Sequence, residues 1–121
     1  MVVGPLTQPS FIINNKGYTI ERAIHGARQP YNDISDFNYA HLLPLFTSGS
    51  DRAQEVSRNY RCASTKEELE AALRDERLIN PKDTQVLEIR MDAFDLPWKL
   101  AKALNIRNPG HLKREGFVGG E

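Results

Sequence analysis

The sequence predicts an α/β fold of three layers, in which a short parallel sheet of about three strands carries helices. Three observations predict it. The apolar run Phe11-Ile12-Ile13 stops at Asn14-Asn15-Lys16-Gly17 and gives way to helical spacing. A second β-rich run, Val86-Leu87-Glu88-Ile89-Arg90-Met91, follows much later, and a clearly capped helix lies between the two.

Taken in order, Phe11 to Ile13 suits a strand buried on both faces better than a half-exposed one, because it does not alternate. Tyr18 to His25 reads as a helix ended by Gly26, with Ile20 and Ile24 on one face. Residues 27–36 read as a polar, proline-containing loop. Asp36 or Asn38 can cap a short helix through Leu43, which Pro44 is expected to disturb. Thr47 to Asp51 reads as a loop, and Asn59 to Ala63 as a short strand.

Thr65 and Glu68 have capping-box spacing, so a helix starts there. Leu69, Ala72 and Leu73 form its buried stripe, and it should end near Arg77. Asn80 to Asp83 is a turn before the strand Val86–Met91. Pro97 opens a last helix from Trp98 to Leu104, docked by Trp98. From Asn108 onward, glycines and charges predict a mobile tail. The expected division is an atypical segment over 1–10, a domain over 11–107 and a flexible tail over 108–121.

At 121 residues the chain suits at most one small domain. Sixteen basic and sixteen acidic residues cancel, which argues against nucleic-acid or anionic-membrane partners. No apolar stretch approaches the roughly 20 residues that span a bilayer. The single cysteine, Cys62, cannot pair within the chain, so nothing suggests secretion and the expected compartment is cytoplasmic. Cys62 itself reads as a small buried hydrophobe. His41 and His111 read as structural or solvent-exposed, and the charges over 66–76 as the solvated face of a helix.

The junction over 14–21 carries the chemistry. Asn14 and Asn15 bring neutral oxygens, and Gly17 lets its carbonyl approach a ligand with no Cβ in the way. An Asn oxygen and a glycine carbonyl suit a hard, octahedral cation such as Mg²⁺. Glu21 falls in the first helical turn. The same residues also make an ordinary turn signal, with a glutamate favoured by the helix dipole. Glu21 and His25 form an i, i+4 pair that reads as a surface or supporting pair.

Over Phe11 to Phe46 the sequence resembles the thiamine-diphosphate-dependent 2-oxo acid decarboxylases, especially pyruvate decarboxylases of the fungal type. The resemblance rests on Asn14-Asn15-x-Gly17-Tyr18-Thr19-Ile20-Glu21, Ile24-His25-Gly26 and Tyr31-Asn32-Asp33-Ile34. It implies thiamine diphosphate and Mg²⁺ as cofactors, with the Asn15 side chain and the Gly17 carbonyl as metal ligands. Tyr18, Ile20 and Glu21 would lie against the cofactor, and Glu21 would be the catalytic carboxylate handling protons. It further implies a small 2-oxo acid substrate, release of carbon dioxide to give an aldehyde, and a homo-oligomer with the site shared between subunits.

The family's diphosphate motif opens with Gly-Asp-Gly, and residues 1–10 contain none. The expected fold is therefore the C-terminal half of a three-layer thiamine-diphosphate-binding domain, a fragment inactive by itself. The alternative is a catalytically inactive remnant or interaction module that docks on a full-length homologue. Losing the neighbouring strand would leave Phe11 to Ile13 at an open sheet edge.

Overall fold

The computed structural model describes residues 8–47 and 53–117. In chain order it contains β1 (Pro9–Asn14), α1 (Thr19–His25), α2 (Leu42–Thr47), α3 (Ala53–Ser57), β2 (Tyr60–Ala63) and α4 (Lys66–Leu73). Then come α5 (Glu76–Ile79), β3 (Gln85–Arg90), α6 (Trp98–Arg107) and α7 (His111–Glu115). Two units interleave along the chain. The first comprises the residues up to Asn14 together with Phe37–Arg90, and the second Asn15–Asp36 together with the residues from Met91 on.

The first unit is the parallel sheet, ordered β1-β3-β2. Phe11 lies opposite Leu87 and Ile13 opposite Ile89, while Tyr60 lies opposite Val86 and Ala63 opposite Ile89. With a period of two, this register sorts the side chains onto two faces. On one, Ile12, Tyr60 and Val86 pack with Leu42 and Leu43 of α2 and Val56 of α3. On the other, Ala63, Leu87 and Ile89 pack with Leu69 and Ala72 of α4 and Leu78 of α5. The predicted three-layer α/β arrangement is thus present, with all three expected strands in it.

The capping box forms as its spacing requires: Thr65 Oγ1 accepts from the Glu68 amide at 3.1 Å, and the Glu68 carboxylate accepts from the Thr65 amide at 3.3 Å. The helix expected to run to Arg77 instead stops at Leu73. Asp75 restarts it as α5, its side chain accepting from the Arg77 amide at 2.8 Å. Pro44 does not break α2, because it sits in the first turn, where a missing N–H costs no helical bond. Asn38 caps the 3₁₀ turn Tyr39–His41 just before it. Thr47 belongs to α2, and the rest of the expected loop, 48–51, lies outside the described residues.

Three burial expectations for this unit are overturned. Phe11 is 51% exposed and Ile13 55%, because β1 is an edge strand and α4 and α5 pack on the β2 and β3 side of that face. Leu73 is exposed on α4. Cys62 is exposed as well, since β2 is the other edge.

The second unit is helical. Its core joins Ala23 and Ala27, Leu96, Ala101 of α6, Leu112 of α7 and Phe117. Phe94 meets Phe117 edge to face, with ring centroids 5.3 Å apart. Within the stretch from Asn108, expected to be a mobile tail, His111–Glu115 form α7. Leu112 and Phe117 are buried there, and the Glu115 carboxylate accepts from the Ala27 amide at 3.1 Å. Trp98 does not dock α6: it is 71% exposed, and Ala101 and Leu104 face the core instead. On α1 the buried residues are Thr19, Arg22 and Ala23, so Ile20 and Ile24 lie on the open side. His111 has a partner, its Nε2 lying 3.0 Å from the Ala23 carbonyl, which gives it a structural role. Among the described residues, no helix is long and apolar enough to cross a membrane.

Candidate functional site

The candidate site lies at the start of the second unit, where the chain leaves β1. Asn15 Nδ2 donates to Thr19 Oγ1 at 3.0 Å, and Thr19 Oγ1 donates to the Ala93 carbonyl at 2.9 Å. The Asn15 side-chain oxygen accepts a long bond of 3.4 Å from the Gly17 amide. These contacts fold Asn15 and Gly17 into one turn and tie it to the first turn of α1.

Lys16 sits between them at φ 60°, a left-handed conformation that costs a residue with a Cβ about 1–2 kcal/mol. Its carbonyl accepts from the Ile34 amide at 3.2 Å and from Arg22 Nη2 at 3.2 Å. Gly17, at φ 154°, pairs with Asp33 in an isolated β-bridge, and the Tyr18 amide donates to the Asn32 carbonyl at 2.9 Å. A Cβ on Gly17 would collide with that carbonyl. Glycine is therefore demanded here by the closeness of the second loop.

The other predicted site residues lie on the outer side of α1. Tyr18 and Ile20 are exposed. The Glu21 side chain is 51% exposed and lies 3.4 Å from His25 Nε2, so the i, i+4 pair forms at the surface. Asn15 and Gly17 are thus brought together as possible oxygen donors, while Tyr18, Ile20 and Glu21 form an open face beside them.

Both oxygens in the turn are neutral. Among the described residues, no group of three or more His, Cys, Asp or Glu is placed to hold a metal. Asp33, the carboxylate across the bridge, is engaged by Arg22 at 2.6 Å. The donor set suits a hard cation in kind but not in number, so such an ion would need further oxygens, as from phosphate or water.

Two buried charges were missed by sequence reasoning. Arg22, with its side chain only 6% exposed, lies eleven positions from Asp33, and no local spacing rule links them. Glu88, 1% exposed, stands inside an apolar strand, and that placement was the available signal. Its carboxylate accepts from Arg90 Nε at 2.7 Å, Tyr60 Oη at 2.8 Å and Asn14 Nδ2 at 3.3 Å, with Cys62 Sγ at 3.9 Å. Burial alone would raise the Glu88 carboxyl, but these donors outweigh it and leave its pKa below the usual carboxylate value. Burial and the adjacent carboxylate push the Tyr60 phenol well up.

Comparison with known proteins identifies relatives of this chain. No family model matches it. It is 37% identical over 95 residues to a pyruvate decarboxylase of Aspergillus parasiticus, a match covering 78% of this chain and 16% of that protein. It is 36% identical over 90 residues to a pyruvate decarboxylase of Candida albicans, covering 74% of this chain and 15% of that protein. Pyruvate decarboxylase isozyme 2 of Saccharomyces cerevisiae is 33% identical over 104 residues, covering 86% of this chain and 17% of that protein. The chain spans about one sixth of the length of the curated relatives it matches. Over that span, it is a homologue of the fungal pyruvate decarboxylases.

Proposed function

We propose that the chain carries part of the cofactor site of a Mg²⁺- and thiamine-diphosphate-dependent decarboxylase that converts a 2-oxo acid such as pyruvate to an aldehyde and carbon dioxide. One observation carries this reading: in a homologue of pyruvate decarboxylases, the Asn15 oxygen and the Gly17 backbone share a turn that leads into a helix with Glu21 in its first turn. Asn15 and the Gly17 carbonyl would hold the cation, with Tyr18 and Ile20 against the cofactor. The cofactor, when bound, supplies the electron sink for decarboxylation.

Glu21 would move a proton at the reacting carbon. A carboxylate doing so near neutral pH needs an apolar surround that favours its neutral form. Its half-exposed position in this chain means that another surface would have to cover Ile20 and Glu21, which fits a site shared between subunits of a homo-oligomer. A cytoplasmic location accompanies this reading.

Isothermal titration with thiamine diphosphate, with and without Mg²⁺, tests it. Weak, Mg²⁺-dependent binding is expected, lost in Asn15→Ala and kept in Glu21→Gln. No heat at any cofactor concentration from demonstrably folded protein would sink the reading.

The exposed edge strand favours a second reading, an inactive module that docks on a full-length homologue. Phe11 and Ile13 stand open on β1, which among the described residues is paired on one side, by β3. Sedimentation with a full-length fungal pyruvate decarboxylase would reveal co-migration, and independent sedimentation would dismiss it.

A further inference from the structure

We propose that Arg22 is a positioning residue for the Asn15–Gly17 turn, and through it for the two cation donors. The inference rests on the reading of Asn15 and Gly17 as metal ligands. Arg22 lies one position past Glu21, so its side chain leaves α1 on the inner side while Glu21 faces out.

The buried guanidinium reaches four partners in two segments. Nη2 donates to the Lys16 carbonyl at 3.2 Å, to the Asn32 carbonyl at 3.2 Å and to Asp33 Oδ1 at 2.6 Å. Nη1 donates to the Ala27 carbonyl at 3.1 Å. One planar group therefore fixes the carbonyl of the left-handed Lys16 and holds the opposing loop against Gly17. A lysine could satisfy Asp33 but could not reproduce the fork that spans the Lys16 and Ala27 carbonyls.

This assignment makes the direction of the Gly17 carbonyl depend on Arg22. The Lys16 carbonyl is held by Arg22 and the Ile34 amide, and the Tyr18 amide of the peptide that follows donates to the Asn32 carbonyl that Arg22 also holds, so the Gly17 carbonyl between them has little freedom left.

Amide hydrogen exchange and Mn²⁺ broadening, read by NMR on the whole chain with thiamine diphosphate as added probe, test the proposal. In Arg22→Met the Tyr18 and Ile34 amides should lose protection by about tenfold or more, while the Ala101 amide, bonded to the Pro97 carbonyl in the same unit, keeps its own. Mn²⁺ should broaden Asn15 and Gly17 in the natural chain and not in Arg22→Met, with partial recovery in Arg22→Lys. If Arg22→Met does not fold, the graded loss in Arg22→Lys decides. Unchanged protection of Tyr18 and Ile34 in a folded variant overturns the role of Arg22 alone. Absence of broadening in the natural chain overturns the metal reading itself and, with it, the inference.

Discussion

Among the described residues each unit holds one buried charge, and the two are satisfied in opposite ways. Glu88, in the sheet unit, accepts from side chains on all three strands: Asn14 on β1, Tyr60 on β2 and Arg90 on its own strand. Arg22, in the helical unit, donates mainly to backbone, through the carbonyls of Lys16, Ala27 and Asn32. A carboxylate held by side chains ties elements together and answers to pH. A guanidinium held by carbonyls fixes the course of the main chain.

The harshest way to break this contrast is Glu88→Lys. It replaces the carboxylate that Arg90 pairs with by a buried cation, and should cost about 3–5 kcal/mol, enough to melt the sheet unit. Urea unfolding followed by β3 amide signals would measure it, and a near-neutral result would mean that Glu88 is not central to the sheet.

Arg22→Met should cost about 2–3 kcal/mol, because the Ala27 carbonyl loses this donor while the Lys16 and Asn32 carbonyls keep one each from Ile34 and Tyr18. Tyr60→Phe should cost about 1.5–3 kcal/mol by removing a bond to a charged acceptor.

The pH response sharpens the contrast further. The folded-state pKa of Glu88 is lowered, so its stabilisation is present above the unfolded carboxylate value and is lost as pH falls through the lower folded value. Acid titration of sheet-unit amides should show this loss, and Glu88→Gln should flatten it. The sign for Tyr60 is opposite. Its raised phenol keeps its contribution below the unfolded tyrosine value and surrenders it only in strong alkali. The smallest effect is expected from Asp33→Asn. The Asp33 side chain is 63% exposed, so the change should cost less than about 1 kcal/mol, by thermal melting, if the carbonyls do most of the holding.

The sequence made local features readable and long-range ones obscure. The Thr65–Glu68 cap, the Gly26 stop and all three strands follow from spacing over a few residues, and they are where spacing puts them. Burial depends on neighbours. The apolar Phe11-Ile12-Ile13 run lies at an edge and is largely open, whereas the strand interrupted by Glu88 is central and buried, because strand order was not written in either segment. The tail failed for the same reason. Charges and glycines around Leu112 and Phe117 suggested mobility, but those two side chains complete a core whose other members, among them Ala23, Ala27, Leu96 and Ala101, lie earlier in the chain. At the candidate site the turn residues were local and readable. The Arg22–Asp33 pair, which spans a loop, was not.

The interleaving of the units has a kinetic consequence. The chain passes from one unit to the other at Asn14, at Asp36 and again at Arg90, so neither is a continuous stretch that could finish folding before the next is made. β1 can zip onto β3 only after residues up to Arg90 exist, and such remote parallel pairing is slow to nucleate. A single protease nick in the loop before Phe37 would leave the sheet unit assembled from two peptides. β1 therefore waits without this partner until the whole stretch between the two strands has been made.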